Sequence, residues 1–135
     1  MTYTEALSIE GITESAITNY FTTFNQAKFN QTAALFAEEG ELLAPFEKPI
    51  IGREKIASYL EQEAKGMSAL PRQGILDSES ALKTYKVVGK VKTSLFSVNV
   101  AWFFSLNSDL QIAIARIKLL ASPQELLNLK SKREQ

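Results

Sequence analysis

Histidine and cysteine are both absent from the 135 residues. Histidine is the commonest general base and metal ligand near neutral pH, so its absence excludes histidine-based triads and most zinc sites. Without cysteine, a disulfide framework, thiolate metal sites and a thiol nucleophile are excluded too. Net charge is also missing: fifteen Lys and Arg cancel fifteen Asp and Glu, so no overall field recruits nucleic acid or an anionic membrane. No apolar run approaches the roughly 20 residues of a membrane span, and MTYTEALSIEG lacks the basic region and apolar core of a signal peptide. A cytoplasmic protein is expected. A glycine-rich phosphate loop, a nucleophile elbow and internal repeats are lacking as well. Catalysis, if there is any, falls to carboxylates, tyrosine or lysine. What is present, 45% hydrophobic and 22% charged residues, predicts one soluble domain over residues 1–135 with a single core.

From Thr13, the stretch TESAITNYFTTFNQAK spaces Ile17, Tyr20, Phe21 and Phe24 as one stripe of an amphipathic helix that Thr13 can cap. NQTAALFAEEG predicts a short second helix with Asn30 as cap, Ala33, Ala34 and Phe36 as apolar patch and Gly40 as stop. In ELLAPFEKPIIG, strand-forming residues are broken by Pro45 and Pro49, which predicts a short edge strand followed by a loop. REKIASYLEQEAKG predicts a third helix with Ile56, Tyr59, Leu60 and Glu63 on one face and Gly66 at its end. After Pro71 the period becomes two. RQGILDSES, LKTYKVVGKVKTSLF, SVNVAWFFSLN and LQIAIARIKLL read as antiparallel strands, with a tight turn at residues 107–109. SPQELLNLK then offers Ser122 as cap, Pro123 at the first helical position and Glu125 three residues after the cap, opening a last helix over residues 122–131. These elements define an α+β domain: a curved antiparallel sheet wrapped around N-terminal helices, with a C-terminal helix. Such a sheet leaves a conical cavity, a natural small-molecule site.

Two side chains stand out against that cavity. Trp102, the single tryptophan, shares one strand face with Phe96, Val98, Val100, Phe104 and Leu106. Its indole N–H lies in the middle of this apolar face, where a donor without an acceptor costs about 1–3 kcal/mol. Tyr20 poses the same question on the first helix. One reading is two core aromatics bonded to backbone carbonyls or water. The other is two donors converging on one ligand oxygen, the ligand being a long hydrophobic molecule that ends in a ketone. Carboxylates are poorly placed for acid–base work: Asp77 lies in a polar run, Asp109 in a turn, Glu39 and Glu41 at a helix end, and Glu63 beside Tyr59. Arg116 and Lys118 share their period with Ile112 and Ile114, opposite Ala113, Ala115, Ile117 and Leu119. They read as solvent-facing or interface cations, or as a pair for a ligand carboxylate. Phe29, Phe46 and Phe103 read equally as core or as a surface for a partner.

The stretches IEGIT (9–13) with Tyr20, LFAEEG (35–40), PFEKPIIGRE (45–54), VGKVKT (88–93), VNVAWFF (98–104) and LLASPQELLNL (119–129) carry a resemblance. Together they resemble the C-terminal domain of the cyanobacterial orange carotenoid protein family, and more closely its free-standing homologues. The similarity covers roughly residues 9–130. It implies a nuclear transport factor 2-like cone holding one end of a ketocarotenoid, canthaxanthin or echinenone, with a helix tyrosine and a sheet tryptophan donating hydrogen bonds to its carbonyl oxygen. The matching residues are Tyr20 and Trp102. By the same matching, Met67, Val91, Thr93, Phe96, Phe104 and Ile117 line the tunnel, and Glu63 falls where two-domain members pair with their N-terminal domain. Departures are informative. Leu95 in TSLFS replaces an aromatic of the family, Met67 replaces a leucine of similar volume, and Ala64 stands where a cysteine is common, so redox control through that thiol cannot operate. The all-helical N-terminal domain is missing from the chain, which argues against photoprotective switching within one chain.

The resemblance thus implies a non-enzymatic carrier without metal. Such a carrier solubilises carotenoid, exchanges it with homologous carotenoid proteins that include all-helical N-terminal-domain homologues, contacts a membrane transiently for pigment uptake, and quenches singlet oxygen. A domain of this length has a radius of gyration of about 14 Å, so one cone cannot enclose both ends of an extended carotenoid. A homodimer, mouth to mouth, is expected. The alternatives are a small-molecule isomerase or hydrolase of the same cone, and a ligand-free dimerisation module.

Overall fold

A computed structural model describes residues 8–120. The first helix, α1 (Ser15–Asn25), buries Ile17, Tyr20, Phe21 and Phe24, the stripe its periodicity predicts. Its N-cap is Glu14 rather than Thr13, and no side-chain capping bond forms. The Glu14 carboxylate is engaged elsewhere, accepting a hydrogen bond from the Tyr85 hydroxyl at 3.2 Å. The second helix, α2 (Phe29–Ala34), opens at Lys28, so Asn30 is not its cap. Thr32 is fully buried and shares a 2.7 Å hydrogen bond with Thr23 of α1, which locks the two helices together.

The sequence expectation fails between residues 35 and 43. Gly40 does not stop a helix: Phe36–Leu43 is strand β1. Phe36 is wholly buried and pairs with Ile112, whose N–H donates to the Leu35 carbonyl at 3.0 Å. These tertiary contacts override the local helical pattern. Gly40 sits where the register between β1 and its neighbour shifts, and a Cβ there would stand 2.9 Å from the Ile112 carbonyl oxygen. It is a bulge glycine. The short edge strand is also not the segment expected. Ile50–Ile51 forms the edge strand β2, while β1 is internal.

Helix α3 (Arg53–Glu63) buries Ile56 and Leu60 and is followed by Gly66 at φ +86°. Four long strands complete the sheet: β3 (Ser68–Glu79), β4 (Lys83–Lys92), β5 (Ser97–Leu106) and β6 (Ile112–Leu120). The order is β2-β1-β6-β5-β4-β3, antiparallel throughout except for the parallel pair β1 and β6. Strand β3 begins three residues before Pro71, not after it. It tolerates the proline because it is an edge strand, where a missing N–H breaks no ladder on its free side. Asn25, at the end of α1, treats that edge as a strand would: its Nδ2 donates to the Ala69 carbonyl at 2.9 Å and the Ala69 N–H donates to its Oδ1 at 2.7 Å.

One phase error follows from a bulge. The register between β5 and β6 shifts at Ser105 and Leu106, so Ile112 turns to the core and is fully buried. Ile114, Arg116 and Lys118 then lie together on the outer face with Phe103, above which Lys86 and Lys118 sit 5.8 Å and 5.9 Å from the ring centroid. The helix predicted over residues 122–131 lies outside the described residues.

Candidate functional site: an apolar cavity with a buried phenol

Register puts Trp102 in the centre of the sheet, opposite Val87 of β4 and Ile117 of β6. Helix α1 crosses the same concave face: Phe21 meets the indole edge-on at 4.7 Å, and Tyr20 meets Phe104 edge-on at 5.0 Å. Each such pair is worth about 0.5–1.5 kcal/mol beyond its burial. The aromatic cluster fills the closed end of the cone. Beyond it the sheet and α3 diverge, leaving a cavity of about 300 Å³.

Of the predicted site residues, Tyr20, Met67, Val91, Thr93, Phe96, Trp102 and Ile117 all line this cavity. Phe104 does not. It is fully buried against the rings of Tyr20 and Phe21 and supports the wall from the core. Sequence reasoning missed Phe24, Tyr59, Val98, Val100 and Leu119 as wall residues. Their signal was available: Phe24 is four residues after Tyr20 on the same helix stripe, while Val98, Val100 and Leu119 alternate in step with Trp102 and Ile117. Leu95, at the departure from the family pattern, is outside the wall and 86% exposed.

The polar atoms in the wall decide its chemistry. The Tyr20 hydroxyl is the one buried side-chain oxygen or nitrogen without a hydrogen-bond partner among the described residues. Burial, and secondarily Tyr59, push this phenol well above its usual range, so it remains a proton donor under all physiological conditions. Thr93, in contrast, has no capacity to spare. Its hydroxyl donates to the Phe96 carbonyl at 3.1 Å and accepts from the Leu95 and Phe96 N–H groups at 3.2 and 3.1 Å. It closes the hairpin between β4 and β5 and gives the cavity only its methyl group. At the mouth, Tyr59 is half-buried, and its phenol is also raised, by burial and then by the negative charges of Glu47 and Glu63. Among the described residues Glu63 is the one carboxylate in the wall, and it is exposed. Among the described residues no three metal-capable side chains cluster. The arrangement can hold an apolar body and donate a hydrogen bond to an acceptor at its inner end.

Comparison with solved structures identifies the architecture first. A Cytophaga hutchinsonii protein described as nuclear transport factor 2-like superposes with a TM-score of 0.66 over 90% of this chain and 99% of that one, at 11% identity. The chain has that α+β fold, with its curved six-stranded sheet. No family model matches it. Sequence then narrows the kinship: the orange carotenoid-binding protein of Limnospira maxima is 38% identical over 128 residues, which are 91% of this chain. The solved orange carotenoid protein of Anabaena (Nostoc) sp. PCC 7120, which binds canthaxanthin, superposes with a TM-score of 0.81 at 38% identity over 91% of this chain. The chain is a homologue of the C-terminal domain of the orange carotenoid proteins. It spans only 40% of the length of the Limnospira protein and 41% of the Anabaena chain.

Proposed function

We propose that the protein is a ketocarotenoid carrier. One observation carries the reading: a fully buried phenol without a partner among the described residues, in the wall of an apolar cavity, in a chain homologous to proteins named for carotenoid binding. A carotenoid ring bearing a ketone satisfies both sides. The ring replaces water along the wall, at about 25 cal/mol per Å² of apolar surface removed, and the carbonyl oxygen accepts from Tyr20 and from the Trp102 indole, which lines the same cavity. Met67, Val91, Phe96 and Ile117 pack on the ring, with Thr93 contributing its methyl.

The polyene is longer than the cone, so a second copy, mouth to mouth, covers what would otherwise meet water. The carrier loads at a membrane by transient contact and passes pigment to or from homologous carotenoid proteins, including all-helical N-terminal-domain homologues. Quenching of singlet oxygen follows from the pigment itself. An isomerase or hydrolase would need a carboxylate held deep in the cavity, whereas the wall carboxylate, Glu63, is exposed.

The test is a visible absorption spectrum of the protein purified from cells that make canthaxanthin or echinenone, beside Tyr20→Phe and Trp102→Phe. A red or violet wild type whose band shifts to the blue or weakens in both variants is expected. A colourless wild type from pigment-producing cells would refute the carrier reading.

A further inference from the structure

The outer face of the sheet carries a second concave place, built by β4, β5 and β6 on the side opposite the apolar cavity. Cross-strand register sets Lys86 and Arg116 on either side of Phe103, and Thr84 and Ile114 on either side of Ser105. Thr84, Phe103, Ser105, Ile114, Arg116 and Lys118 line a cleft of about 200 Å³. The ammonium nitrogens of Lys86 and Lys118 stand 5.8 Å and 5.9 Å from the Phe103 centroid, so with Arg116 three cations converge on one half-buried ring. Attraction to the ring face helps to hold the two lysines there. Their charges are not neutralised by the chain: the ion pairs among the described residues are Lys65 with Glu61 and Lys83 with Glu79. No described acidic side chain lines the cleft, and Glu41, opposite Ile114 in the register of β1 and β6, stays outside its wall.

The geometry points to an oxyanion site in this cleft, one that takes a phosphate group. The site stands apart from the apolar cavity and does not depend on the carrier reading. Cations gathered over an apolar floor repel one another and focus their field on the space they share, which draws in an anion. The Thr84 and Ser105 hydroxyls share one hydrogen bond of 2.8 Å, in which either can donate. Two hydroxyls carry two hydrogens, so one remains for a ligand. The Arg116 guanidinium adds a planar, two-pronged donor, and the lysines add point charges. A carboxylate brings two oxygens and a single charge, too few for this donor set. A phosphate group brings at least three free oxygens and a charge of about −1.5 to −2 at neutral pH, which can engage the hydroxyl and the cations together. Free phosphate and a phospholipid headgroup present this same chemistry.

The experiment titrates the full chain with inorganic phosphate at constant ionic strength, follows the amide resonances by NMR, and repeats the titration with acetate. Vesicles of phosphatidylcholine, alone or mixed with phosphatidic acid, are tested for capture by flotation. Three proteins are compared: wild type, the double variant Arg116→Gln with Lys118→Gln, and Lys55→Gln, which removes an exposed cation of α3 far from this sheet face. Saturable shifts confined to the strands around Phe103 are expected for phosphate in wild type, weakened about tenfold or more in the double variant and unchanged in Lys55→Gln. Capture by the phosphatidic acid vesicles, lost in the double variant, would support the site and assign the phosphate to a lipid headgroup. Binding of the free ion without vesicle capture would support it and assign a soluble ligand. Absence of both saturable shifts and vesicle capture would overturn the inference, as would acetate binding as tightly as phosphate. Equal weakening in Lys55→Gln would show a response to overall charge rather than to this cleft, and would overturn it too.

Discussion

At the scale of a single residue, Tyr20 has a consequence measurable without any ligand. Its pKa is raised from 10.0 in the folded protein by burial and, less, by Tyr59. A raised pKa means that the folded state holds the proton more tightly than the unfolded chain. The stability this contributes is fully present below the unfolded value and is lost as pH rises above it. Unfolding free energy should thus fall steeply once the pH passes about 10. Tyr59 and Tyr85 shift in the same direction, so they add to the slope. Urea titrations of wild type and Tyr20→Phe between pH 8 and 11 should show a shallower alkaline decline in the variant. Identical slopes would mean that the phenol is not sequestered as the structure has it. Sequence made Tyr20 and Trp102 legible because each combines an apolar position in a clear period with a polar tip. It could not show that the Thr93 hydroxyl is consumed by its own turn, since that depends on the geometry of residues 93–96 rather than on their identity.

At the scale of elements, helices whose stripe faces one core were readable, and so were long alternating strands. Failures cluster where a tertiary pairing decides between two local outcomes. LFAEEGELL carries both a helical spacing and a strand composition, and the contest is settled by the parallel pairing of β1 with β6, 75 or so residues away in sequence. Both bulges, at Gly40 and at Ser105 and Leu106, escape a strict period of two for the same reason. Such long-range anchors can be tested singly. Asn25 bonds both backbone groups of Ala69, 44 residues away, and Ala69 lines the cavity. Asn25→Ala leaves a part-buried N–H and carbonyl unpaired, so it should cost about 1–3 kcal/mol of unfolding free energy, read from urea denaturation. Loss of less than a few tenths would mean that water replaces the amide and that the tie between α1 and β3 is dispensable.

At the scale of the whole molecule, balanced charge hid an unbalanced distribution. The strand period gathers Lys86, Arg116 and Lys118 around Phe103 on the outer face, while the inner face carries the cavity. Part of the exposed apolar surface adjoins the residues that line the cavity. Phe46 is 94% exposed and holds a left-handed backbone at φ +64°, a conformation that costs a bulky residue about 1–2 kcal/mol. It follows Pro45, which lines the cavity, and on the hairpin between β4 and β5 Leu95 (86% exposed) adjoins Phe96 (59% exposed), another wall residue. A chain that strains its backbone to expose a phenylalanine gains nothing from it alone in water. The cost is recovered if a second copy covers the mouth, where exposed aromatic anchors are the residues that dominate association. Phe46→Ser combined with Leu95→Ser should leave the fold intact, since neither side chain is part of the core. On the mouth-to-mouth pair proposed above, sedimentation of the pigmented protein should then show dissociation at concentrations where the wild type is expected to stay paired, with pigment lost in parallel. Survival of the pigmented pair in the double variant would move the interface elsewhere, and the basic outer face around Phe103 would be the next surface to mutate.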